Sequence, residues 1–154
     1  MTTAATPEPS RDQHVEVGGV TFPHLPGGLG EMASFESEDD GTQISTTVWE
    51  SPVPEGSAVD LSVTVVRSER FTDPQAFHDW LVPWQERPAE EAAYEATTIN
   101  GGAAWLSRDQ VLWLVRPGLG ATATVDATRI DAASLPSVAQ AAHETGSGAV
   151  ATAK

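Results

Sequence analysis

Between Val59 and Trp84 the hydropathy changes period once, and that change constrains the fold more than any other feature of the chain. Val59, Leu61, Val63 and Val65 alternate with Asp60, Ser62 and Thr64, a period of two that sets four aliphatic side chains on one face of a β-strand. Asp73 then offers an N-cap oxygen, and Pro74 brings a φ already suited to the first helical position. Phe77, Trp80, Leu81 and Trp84 follow at i, i+3, i+4 and i+7, along one side of a helix. Burying a large apolar side chain gains about 1.5–3 kcal/mol. The strand and helix are therefore expected to bury these faces against each other or against a third layer. Pro83 is expected to end or kink the helix, because it removes one backbone hydrogen bond and crowds the preceding turn.

The flanking segments read as strands joined by short turns. His14 to Phe22 is extended, turning at Gly18 and Gly19, and Pro23 to Gly30 is a loop. Glu31 to Ser37 reads as a short strand leading into a solvated acidic tip of Glu36, Glu38, Asp39 and Asp40, and Thr42 to Ser51 reads as the next strand. After the helix, Tyr94 to Ile99 turns at Asn100-Gly101, a strong hairpin signal, into Ala103 to Ser107. Val111 to Arg116 is apolar on both faces and is expected to lie centrally. Ala121 to Ile130 pairs back with Thr122, Thr124 and Asp126 turned outward. A second helix begins at Ala132 or Leu135 and runs to about Glu144, burying Leu135, Val138, Ala139 and Ala142. Met1 to Gln13 and Thr145 to Lys154 are polar or small and are expected to be disordered, leaving one domain over 14–144. Strands in runs with short turns imply the α+β class, with the helices on one face of the sheet.

Composition narrows the chemistry. Twenty-two acids against eight bases give a formal charge of −14, and the sole lysine is Lys154. Such a surface repels phosphate backbones and anionic membranes and attracts basic partners, so nucleic-acid binding is not expected. Cysteine is absent, which removes disulfides, thiolate metal sites and thiol nucleophiles. The longest purely aliphatic or aromatic run is Val111 to Val115, too short to insert in a membrane, and Met1 to Gln13 carries no apolar signal region. A chain complete as it stands would be cytoplasmic.

Catalytic signatures are also missing. The glycines of Pro23 to Gly30 match neither G-x-x-x-x-G-K-[ST] nor G-x-G-x-x-G, and the acidic tip lacks the spacing of a calcium loop. His14, His24, His78 and His143 form no H-x-x-x-H or H-E-x-x-H pair, and no serine lies in a G-x-S-x-G elbow. His78 beside Asp79 is the best histidine, at the border of the helical stripe. Glu90-Glu91 and Asp39-Asp40 are neighbours in sequence, which does not place them across a scissile bond. Neither an enzyme nor a bound cofactor or metal is expected. The remaining suggestive set is Trp49, Trp80, Trp84, Trp105 and Trp113. Tryptophans line cores, pockets and interfaces alike. They could border a groove between helix and sheet, with Trp49 and Trp84 its most exposed members.

The run Gly101-Gly102-Ala103-Ala104-Trp105, then Val111-Leu112-Trp113-Leu114, Gly118 to Gly120, Ser134-Leu135 and Val138-Ala139 resembles the C-terminal end of the LolA/RseB-like carrier and sigma-regulator domains. The whole chain also resembles small actinobacterial proteins sharing Gly-Val-Thr-Phe, Leu-Pro and Gly-Leu-Gly between Gly19 and Gly30. These resemblances imply an antiparallel sheet curved around helices and bring no known activity. The expected fold is thus α+β, a curved antiparallel sheet of about seven strands packed against two helices. The expected role is that of a non-enzymatic acidic domain that associates with a protein partner, its charge favouring a basic one. The alternative is a carrier-like half barrel sheltering a small hydrophobic ligand.

Overall fold

The computed structural model describes residues 15–88 and 93–145. Both expected tails up to Gln13 and beyond Thr145, together with His14 and the Glu90-Glu91 pair, lie outside the described residues. The fold is α+β, as expected. Seven strands form one open antiparallel sheet in the order β3-β4-β5-β9-β8-β7-β6, comprising β3 (Glu31–Asp39), β4 (Thr42–Val53), β5 (Gly56–Arg67), β6 (Glu95–Ile99), β7 (Gly102–Leu106), β8 (Gln110–Arg116) and β9 (Leu119–Val125). A second sheet of three short strands, β1 (Val15–Val17), β2 (Val20–Phe22) and β10 (His143–Glu144), has β2 at its centre. The helices are α1 (Pro74–Gln85) and α2 (Leu135–Ala141), the latter preceded by a 3₁₀ turn at Ala132–Ser134. The chain stays tied as far as Thr145, whose N–H donates to the Gly19 carbonyl.

The two helices lie on opposite faces of the large sheet, a correction to the single helical face expected from the strand runs. Strand β8 shows why. Val111 and Trp113 point to the front face, into a core completed by Leu61, Val63 and Val65 of β5, by β1 and β2, and by Leu135 and Val138 of α2. Leu112 points to the back, where Phe77 and Leu81 of α1 pack with Ile44, Val66 and Phe71. An apolar strand of period one demands cover on both sides, and each helix supplies one side. Gly120 of β9 lets α1 come close, since a Cβ there would sit 2.5 Å from the Phe77 ring.

The organising strand therefore does not bury its face against the helix that follows it. A β-bulge is the local cause of a second departure. Register shifts between Trp49 and Glu50, so that Trp49 faces Leu61 but Glu50 faces Val59, and Asp60 is the extra residue. The extra residue disrupts the alternation. Val59 is left 41% exposed while Asp60 is fully buried. Thr122, expected to face solvent, is also buried, and its hydroxyl donates to the Val111 carbonyl.

Asp73 caps α1 as expected, its side chain accepting from the Ala76 N–H, and Pro83 falls within the last turn, three residues before the left-handed C-cap Glu86. The helix end is pinned to the sheet by a polar cluster. Gln110 donates to Gln85 at 2.6 Å and to Thr124 at 2.8 Å and accepts from the Tyr94 hydroxyl. Beside it Arg87 makes a two-pronged ion pair with Asp109, at 2.7 and 2.9 Å. Burial disfavours the Arg87 charge, but the Asp109 carboxylate and the Tyr94 hydroxyl together more than compensate and raise its pKa. The second helix ends at Ala141 rather than near Glu144, because His143 and Glu144 leave it to pair with β2.

Candidate binding surface

The five tryptophans do not border one groove. Trp49 and Trp113 are buried in the front core, where Trp113 meets Phe22 edge to face at 6.3 Å. Trp49, expected to be among the most exposed, is only 2% exposed. Trp105 pairs with Leu112 rather than with Trp113, and that register turns it to the back face beside His78. Trp80 and Trp84 share the back face with it, stacked on each other with ring centroids 5.2 Å apart. Trp84 is exposed, as expected, at 40%. Its indole N–H donates to the Asp39 carboxylate at 2.9 Å, reaching from the end of α1 to the edge of the sheet.

That bond leads to the most unusual surface on the molecule. All nine residues of β3 are exposed, on both faces of the sheet. The strand ends the large sheet and pairs with β4 alone among the described residues. Among the described residues four large apolar side chains are exposed by more than a third, and two of them, Met32 at 55% and Phe35 at 57%, lie on β3 itself. A third is Trp84, bonded to its last residue. From Glu31 to Asp40 the chain holds five acids and no base. Oily side chains, a free edge and one sign of charge thus share a single strand. The sequence marked the acidic tip but not Met32 or Phe35, because their exposure depends on which strands flank β3 and not on the residues next to them.

The basic residues near this edge are already engaged. A cleft of about 870 Å³ opens where β5 ends, lined by Arg67, Arg70 and Arg116 together with Glu38, Asp40 and Glu69, and no tryptophan lines it. Arg67 donates twice to the Gly18 carbonyl, and Arg70 to the Asp40 carbonyl. Arg116 holds both oxygens of Glu144 at 2.8 and 2.9 Å, which keeps that carboxyl below its ordinary range. Internal pairing of this kind leaves the sheet edge negative.

His78 donates from Nδ1–H to the Asp79 carboxylate at 3.1 Å, and its ring lies 4.4 Å from Trp105. Gln75 and His78 together hold the Asp79 carboxyl below its usual value. His143 reaches the Ala141 carbonyl. Among the described residues no three His, Cys, Asp or Glu side chains gather as a metal site, and no helix is long and apolar enough to cross a membrane.

Comparison with known proteins identifies no relative. No protein-family model, curated protein or solved structure matches this chain.

Proposed function

We propose that this protein is a non-enzymatic binding or regulatory domain that holds a basic protein partner on the sheet edge built by β3 and Trp84. The observation that carries the reading is the coincidence on β3 of Met32 and Phe35, each more than half exposed, with Glu31, Glu36, Glu38 and Asp39. Interfaces combine aromatic and methionine anchors with a polar rim, and complementary charge steers the encounter and sets its partner. The net charge of −14 extends the same preference over the whole molecule.

The test is titration with an arginine-rich probe peptide, followed by fluorescence anisotropy. Binding is expected to weaken about tenfold or more between about 50 and about 500 mM NaCl, as screening shortens the reach of the charges. The double variant Glu36→Lys/Glu38→Lys should lose binding by a similar factor without loss of fold, since both side chains are exposed. Equal affinity of wild type and variant at low salt would contradict the proposal.

A further inference from the structure

We infer that the partner binds by adding a strand to the open edge of β3, and that the added segment is extended, basic and about seven to nine residues long. This rests on the reading above, that the acidic face holds a basic partner, and adds the geometry of the contact.

The hairpin fixes which backbone groups are free. Asp40 and Gly41 have φ of 52° and 79°, the signature of a two-residue type I′ loop. The residues flanking such a loop, Asp39 and Thr42, exchange both backbone hydrogen bonds, and bonded and non-bonded pairs then alternate along the ladder. The β3–β4 register runs without interruption from Asp39↔Thr42 to Glu31↔Glu50. Met32, Ser34, Glu36 and Glu38 thus turn their N–H and C=O groups away from β4, four successive pairs ready for another strand.

Edge strands are ordinarily protected by being short, by proline, by a bulge, by cover or by charge. Over nine residues β3 has no proline, its pairing has no bulge, and nothing among the described residues covers it. Charge alone remains, and its single sign selects rather than merely repels. A second copy is disfavoured. Antiparallel self-pairing about Phe35 would set Glu31 against Asp39 at both ends and crowd four acids from each strand into one ribbon, and like charges directly opposite destabilise a pair. A basic strand reverses each of those terms. Its arginines or lysines would flank Glu36 and Glu38 on the front face, and an apolar side chain would lie beside Phe35 on the back.

The experiment uses the full chain and a ten-residue peptide alternating arginine with valine and threonine, blocked at both ends. Amide hydrogen exchange is read by NMR. In the free protein the amides of Met32, Ser34, Glu36 and Glu38 should exchange fast, and in the complex they should slow by about tenfold or more. Ser34→Pro removes one outward N–H and none of the acids, and proline is tolerated where an edge N–H faces solvent. It should weaken the peptide by about tenfold, whereas Ser34→Ala, which loses only the hydroxyl bond to Thr47, should bind as wild type. Salt-sensitive binding with no protection of these amides, and with Ser34→Pro unchanged, would overturn strand addition while leaving the acidic-face reading intact. Absence of binding at low salt would overturn both. A dimer of the free protein that protects the same amides would also overturn it.

Discussion

Replacing Asp60 by alanine should destabilise the fold by about 3 kcal/mol, lowering the melting temperature by about 10 °C. The bulge that buries Asp60 also surrounds it with donors. Its Oδ2 accepts from the Gly30 N–H at 2.9 Å and from the Ser51 hydroxyl, and its Oδ1 accepts from the Arg129 guanidinium at 2.9 Å. Three chain segments meet on one carboxylate: the loop before β3, the end of β4, and the turn after β9. Truncation leaves a part-buried amide, a hydroxyl and a guanidinium short of their acceptor, and unmet polar groups away from water are costly. Arg129 keeps access to water at 35% side-chain exposure, which holds the loss toward the lower end of that for a broken buried pair.

The same group carries a pH signature. Burial pushes the Asp60 pKa up, but the bonds from Ser51, Arg129 and Gly30 outweigh it and hold the carboxyl below its ordinary value. The unfolded chain therefore binds the proton more readily. Asp60 contributes its full stabilisation above the unfolded pKa of about 3.9 and loses it as pH falls through the lower folded value. Denaturant melts across that acid range should show a falling limb in wild type that is shallower in Asp60→Asn. Some slope will remain from Glu144, whose carboxyl Arg116 also holds low. An unchanged limb in the variant would show that Asp60 is not the group responsible.

Phe77→Ala should destabilise by about 3–5 kcal/mol, since the ring is fully buried, meets Phe71 at 5.3 Å and fills the space over Gly120. Gly120→Ala should destabilise by about 1–3 kcal/mol, because its new Cβ would stand 2.5 Å from a ring that has no room to retreat. The two effects should not add. With Phe77 already truncated, the methyl at position 120 meets open space, and the second substitution should become nearly neutral or even stabilising. A double-mutant cycle in urea reads this directly. Additive costs would mean that α1 does not dock through this contact.

Local signals and long-range placement separate clearly in this chain. Asn100-Gly101 and the two-faced run Val111-Leu112-Trp113 could be read directly, because turn chemistry and period are properties of neighbours in sequence. The bulge at Asp60 could not. Val59-Asp60-Leu61 alternates like the rest of β5, and only the partner strand shows that one residue is supernumerary. Trp105 and Trp113 illustrate the same limit, since their parting to opposite faces is set by the β7–β8 register and not by their spacing. The exposure of Met32 and Phe35 is the least local of all. It follows from β5 taking β9 as its second neighbour, about sixty residues further along, and so leaving β3 as the end of the sheet. Those are the contacts on which the candidate surface depends.

The most direct test of the account is an amide and indole NMR titration of the whole protein with an arginine-containing peptide at low salt. Shifts should concentrate on residues 31–40 and on the Trp84 indole, whose bond to Asp39 links the helix to the edge. Shifts centred instead on the cleft of Arg67, Arg70 and Arg116, or spread evenly over the acidic surface, would contradict it.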